Sequence, residues 1–188
     1  MSALEILYHF YPQDSPLRRL LVLHSTQVRD KALSIAGNPA LANLDINLQI
    51  VNDGALLHDI GIGRCNAPDI HCTGTERYLL HGTIGARMLR EYGEAEGLDL
   101  EALARICERH TGAGLTADDV RALDLPLPPV ELLPVTLEEK LVCLADKFYS
   151  KSSPEREKTL EQVRRSMAKF GAGAQLRFEE LCETFGLK

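Results

Sequence analysis

The chain has 188 residues, 45% of them hydrophobic and 26% charged, with 14 Gly and 9 Pro. That composition excludes collagenous, low-complexity and disulfide-stapled classes and fits one ordinary globular domain over 1–188. Subtracting 27 acidic from 21 basic residues leaves a formal charge of −6, so the electropositive surplus of a nucleic-acid or anionic-membrane binder is absent, and neither partner is expected. Five scattered cysteines without a Cys-x-x-Cys pair, no bilayer-length apolar run and no basic n-region at the start predict a cytoplasmic protein with reduced thiols.

Helical periodicity recurs along the chain and hairpin-bounded alternation does not, which predicts an all-α, single-domain helical bundle. Ser2 with Glu5 reads as a capping box for a short first helix ending before Pro12. Further helices are predicted over Leu17–Ala36, Asp45–His58, His81–Tyr92, Asp99–His110, Thr116–Leu123 and Leu137–Ser150, the last opened by a second capping box, Thr136 with Glu139. Ser153-Pro154 signals the start of Pro154–Phe170, and Ala174–Phe185 follows; residues 154–188 read as a C-terminal helical cover. Two irregular stretches, Gly61–Gly74 and the Pro-rich Leu125–Pro134, are long enough to be candidate pocket walls.

Four of the six histidines fall on inward helix faces. His24 lies four residues after Leu20 and four before Val28; His58 follows Ile50 and Gly54 at spacings of four; His81 shares a face with Ile84, Gly85 and Met88; His110 follows Leu103, Ile106 and Cys107. Asp146 is in line with Val142 and Tyr149, and Asp59 adjoins His58. A lone buried imidazole is ordinarily satisfied by a backbone carbonyl. Four imidazoles and two carboxylates from separate helices are hard to satisfy pairwise, whereas one or two divalent cations satisfy them together. His9, between Tyr8 and Phe10, reads as a packing or surface residue, and Cys65, His71 and Cys72 lack the second Cys/His pair of a zinc site.

In this order, His24, the doublet in His58-Asp59-Ile60-Gly61, and Asp146 in Ala145-Asp146-Lys147 resemble the signature of the HD-domain metal-dependent phosphohydrolase superfamily over about residues 17–150. His81 and His110 resemble the two extra histidines of its dinuclear subset. The resemblance implies one ion held by His24, His58, Asp59 and Asp146 and a second by His81, His110 and a bridging Asp59. So nitrogen-rich a set suits Mn, Fe, Co, Ni or Zn rather than Mg or Ca.

The implied chemistry is hydrolysis of a nucleotide or other small phosphoester by metal-activated hydroxide, with Asp59 at the centre of the catalytic group. Lys147 and Arg64 are the leading candidates for catalytic phosphate contacts, with Arg109 and Lys151 behind them. Gly112 reads as a helix cap, although the Thr111–Gly114 backbone could also face an anion. The Gly-Tyr-Pro element of the family's cyclic-dinucleotide phosphodiesterases is absent. A di-iron oxygenase on the same ligands and a non-catalytic nucleotide-sensing module are the rival expectations, and homodimer formation stays open.

Overall fold

The computed structural model describes residues 1–188 as an all-α assembly. In chain order the helices are α1 (Ala3–Phe10), α2 (Pro16–Ala36), α3 (Leu48–Leu57), α4 (His81–Glu96), α5 (Glu101–Arg109), α6 (Ala117–Ala122), α7 (Leu137–Asp146), α8 (Leu160–Ala168) and α9 (Ala172–Thr184). Their starts follow local chemistry. Ser2 and Glu5 close the expected capping box on α1, Thr136 and Glu139 the one on α7, and Asn47 accepts from the Gln49 and Ile50 amides to start α3.

Three boundaries differ from the sequence expectation. Helix α4 continues past Tyr92 to Glu96, where Gly97 takes φ 68° and ends it. Helix α7 ends at Asp146 instead of running to Ser150. The Ser153-Pro154 signal is overruled: no helix forms over 153–158, the Lys158 amide bonds to the Phe148 carbonyl at 2.8 Å, and α8 starts behind a capping box of Thr159 and Gln162. The connection after α3 also folds into an unexpected two-stranded antiparallel ribbon, β1 (Asn66–Ala67) with β2 (Cys72–Thr73), registered as Asn66 opposite Thr73.

Two apolar cores share the central helices. One gathers Val28 and Ala32 of α2, Val51 and Ala55 of α3, Ile106 of α5, most of α7, and Val163, Met167 and Phe178 from the C-terminal cover. The other gathers α1, Leu21 of α2, Leu56 and Leu57 of α3, the inner face of α4, and Leu103 and Cys107 of α5. On α2, His24 falls between Leu21 of one core and Val28 of the other, so the polar centre lies along the seam where the cores meet.

The approach of α4 to the end of α3 depends on Gly61. A Cβ there would stand 2.2 Å from the His81 carbonyl oxygen and 2.5 Å from the Gly85 nitrogen, both fixed backbone atoms. This contact brings the chain just after Asp59 against the first turn of α4, where His81 sits. Gly61→Ala is therefore expected to destabilise the fold by about 3 kcal/mol and lower Tm by roughly 8 °C. A thermal melt at the wild-type temperature would contradict so close an approach.

Candidate metal centre

Five helices deliver the six expected ligand residues, mostly at helix ends. His24 is mid-α2, His58 caps the C-terminus of α3 with Asp59 next to it, His81 opens α4, His110 caps the C-terminus of α5, and Asp146 closes α7. All four histidines and Asp59 are buried. Helix ends leave carbonyls without an intrahelical partner, and the imidazoles use neighbouring ones: His58 Nδ1 lies 2.7 Å from the Ala55 oxygen, His81 Nδ1 2.6 Å from Tyr78, and His110 Nδ1 2.7 Å from Cys107. Each Nδ1–H donates to a carbonyl three residues back, which orients the ring and leaves Nε2 as the inward-facing atom.

The Nε2 atoms converge on Asp59. Its Oδ2 lies 3.3 Å from His24 Nε2 and 3.1 Å from His58 Nε2, and its Oδ1 lies 3.3 Å from His81 Nε2 and 3.5 Å from His110 Nε2. Asp146 Oδ1 completes the first group at 3.0 Å from His24 Nε2 and 3.5 Å from His58 Nε2. The ligand atoms of His24, His58, Asp59 and Asp146 all lie within 4.8 Å of one another, and so do those of Asp59, His81 and His110.

Two observations show that these residues fit divalent ions. His81 Nε2 and His110 Nε2 stand 3.0 Å apart. Both rings give their Nδ1 proton to a carbonyl, and burial pushes His81 down to about 3 and His110 below its ordinary value, so both are neutral near pH 7. Two lone pairs then face each other with no proton between them, an arrangement that a cation relieves. Secondly, Asp59 Oδ1 is buried without a hydrogen-bond partner, a costly state for a polar atom away from water.

The electrostatics of the first group are set by charge pairing. Burial opposes charge on Asp59, but His58 and the Lys151 ammonium outweigh it and hold the carboxyl well below the usual carboxylate range. Burial likewise opposes a charged His58, yet Asp59 and Asp146 raise it to about 9. A pKa raised by folding contributes stability that is complete below the unfolded value near 6.5 and lost as pH rises through about 9. A metal needs the neutral ring, so its uptake near pH 7 must expel this proton. Titrating Mn²⁺ or Zn²⁺ calorimetrically in buffers of different ionisation enthalpy should show about one proton released per protein at pH 7, with affinity rising toward pH 9. Uptake without proton release would contradict the ion pair.

The cationic candidates separate in space. Lys151 Nζ reaches Asp59 Oδ2 at 2.6 Å, and Asp59 holds it charged above the ordinary lysine value against the cost of burial. Lys147 Nζ bonds Asp146 Oδ2 at 2.7 Å and the His110 carbonyl at 2.9 Å, so it fixes the orientation of one ligand and the end of α5. Arg64 and Arg109 are not brought to the site. The Arg64 side chain is exposed on the turn after Gly61 and does not line the cavity beside the centre. Arg109 donates to the Leu133 carbonyl at 2.8 Å and pairs with Glu108.

A cavity of about 340 Å³ opens beside the centre, lined by Asp146, Lys147 and Lys151 and by Val163, Met167 and Phe170 of the C-terminal cover. Tyr78, whose ring stacks on His81 with centroids 4.7 Å apart, forms part of its side, as does Lys158. Neither was singled out from sequence; the three-residue spacing of Tyr78 to His81 was the available signal, and Lys158 carried none. Of the two irregular stretches only the first contributes, through Ile70, while the Pro-rich one packs Leu127 and Leu132 against Val120 as a separate small cluster. The C-cap of α5 is His110; Gly112, at φ 62°, lies two residues beyond it and touches the cavity.

The other histidines lie apart. His9 packs on Phe10 and Tyr92 with centroids 5.1 and 4.7 Å away. His71 is exposed, and the Cys65 and Cys72 thiols are buried on the Gly61 and Ile70 carbonyls. No helix is long and apolar enough to cross a membrane.

Comparison with known proteins agrees with this arrangement. An uncharacterized protein of Methanocaldococcus jannaschii is 38% identical over 126 residues, covering 67% of this chain and 64% of that protein. Two proteins named tRNA (cytidine(56)-2'-O)-methyltransferase also match. The one from Thermoplasma volcanium is 34% identical over 79% of this chain and 36% of its own length, and the one from Picrophilus torridus 37% identical over 54% and 25%. The chain thus spans less than two thirds of each of these relatives. No solved structure matches it. The HD domain, a family of metal-dependent hydrolases, matches residues 21–150, a stretch that contains all six convergent ligands, and the chain belongs to that family.

Proposed function

We propose that the protein is a metal-dependent phosphohydrolase acting on a nucleotide or another small phosphoester. The observation that carries this reading is the facing pair of neutral Nε2 atoms on His81 and His110, 3.0 Å apart and both directed at Asp59 Oδ1. It supports a second cation position beside the four-ligand group, and two adjacent cations suit a phosphoryl substrate. When bound, divalent ions supply Lewis acidity toward a phosphoryl oxygen and a water acidified toward neutrality.

The chain's own residues do the rest. Asp59 carries two oxygens to two ligand groups, and the carbonyls of Ala55, Tyr78 and Cys107 hold three imidazoles in the tautomer that keeps Nε2 inward. Lys147 anchors Asp146. Lys151 brings a positive charge from the cavity wall to the ligand group, where it can offset the oxygens of an incoming phosphate.

The test is a panel of nucleotides, including nucleotides derived from tRNA, and simple phosphomonoesters, assayed after reconstitution with Mn²⁺ or Co²⁺. Release of phosphate or a phosphorylated product is expected from at least one class. Dioxygen consumption by the iron-loaded protein, with no phosphoester turned over, would replace this reading by an oxygenase.

A further inference from the structure

A second pocket adjoins the cavity at the metal centre. Ser150, Lys158 and Ser166 line both the cavity and this open surface pocket of about 380 Å³. Their linings differ. Besides its lysines, the first presents Ile70, Tyr78, Tyr149, Val163 and Phe170. The second has no apolar lining and no carboxylate, and it collects three cations, Arg156, Lys158 and Arg165.

In a chain with a net charge of −6, a carboxylate-free chamber with three cations is an uneven placement of charge. The neighbouring acids neutralise only one of the three. Glu157 turns away to Lys31 at 2.6 Å and Tyr149 at 3.0 Å. Glu161 pairs with Arg165 on the helix surface, and the side chains of Arg156 and Lys158 make no ion pair or hydrogen bond within the chain. Lys158 is half-buried and lines both pockets.

A pocket that holds a ligand carboxylate, lysines and rings, adjoined by one whose charged residues are all cations, suits an elongated ligand with an anion at each end. We propose that the substrate carries a second phosphoryl group remote from the one at the metal centre, and that Arg156, Lys158 and Arg165 hold it. The corresponding class is a nucleoside bisphosphate, with the nucleoside body across the Tyr78, Tyr149 and Phe170 rings. This rests on the phosphohydrolase reading for the reacting end alone; the distal site is a binding site in its own right.

The experiment compares nucleoside 3',5'-bisphosphates with the matching 5'-monophosphates for each of the four ribonucleosides. Affinity is measured by calorimetry on the metal-free protein, and kcat/KM on the Mn²⁺-loaded protein. For at least one base the bisphosphate should bind roughly tenfold more tightly, since charge-assisted contacts to a phosphate are strong but these guanidiniums are exposed. In the Arg156→Gln/Arg165→Gln variant the affinity ratio should fall to near one, while Arg19→Gln/Arg87→Gln, which removes the same charge elsewhere, should keep it. Equal affinities in the wild type, or an equal fall in both variants, would overturn the distal site. A selective binding preference without turnover of either probe would leave the distal site standing and remove the hydrolase reading; turnover without any preference would do the reverse.

Discussion

Asp59→Ala should strip the protein of its metal and its turnover in a single step. Both carboxylate oxygens are committed, Oδ2 toward His24 and His58 and Oδ1 toward His81 and His110, so the substitution removes a ligand from both groups at once. Elemental analysis should find metal near background, and kcat/KM should fall by at least about a thousandfold, the scale of several kcal/mol of lost Lewis-acid stabilisation. The same change leaves the Lys151 ammonium without the carboxylate it touches at 2.6 Å. Breaking a buried pair from one side costs about 3 kcal/mol, so the metal-free variant should also melt roughly 8 °C lower. Asp59→Ala/Lys151→Met separates the two effects: removing the stranded cation should restore most of the melting temperature and none of the metal. Full activity in Asp59→Ala protein would refute the assignment of the centre.

His81→Ala should act on one ion only. The group of His24, His58, Asp59 and Asp146 is untouched, whereas the other retains just His110 and Asp59, too few protein ligands to compete with buffer for a divalent ion. The metal-to-protein ratio should drop from about two to about one, and activity by roughly a hundredfold if both ions act on the phosphoryl group. Substitution also removes one of the two facing lone pairs, so the metal-free variant should be spared the repulsion present in the wild type. A ratio that stays the same would mean a mononuclear centre, with His81 serving only to support His110.

Much of this architecture was legible before any coordinates. Capping boxes at Ser2 and Thr136 and the 3.6-residue periodicity placed most helices, because caps and amphipathic faces are written within a few adjacent residues. The same periodicity put His24, His58, His81, His110 and Asp146 on inward faces, and their number made a shared cation the economical reading. The failures have a common cause as well. Ser153-Pro154 reads locally as a helix start, but the Lys158 amide finds the Phe148 carbonyl instead and Thr159 starts the helix; a contact ten residues away overrode a two-residue signal.

By itself the sequence determined the helical class, the family-order ligands and the faces they occupy, since those properties depend on residue type and on spacing along one element. Only the tertiary structure decided which cations serve the site. Arg64 and Arg109 stand close to ligands in the chain yet end on the surface or on the Leu133 carbonyl, while Lys151 reaches Asp59 across 92 positions of sequence. The direction of a long flexible side chain, and the cavity into which it reaches, are set by packing between elements distant in sequence, here the seam of two cores and the cover laid across it by α8 and α9.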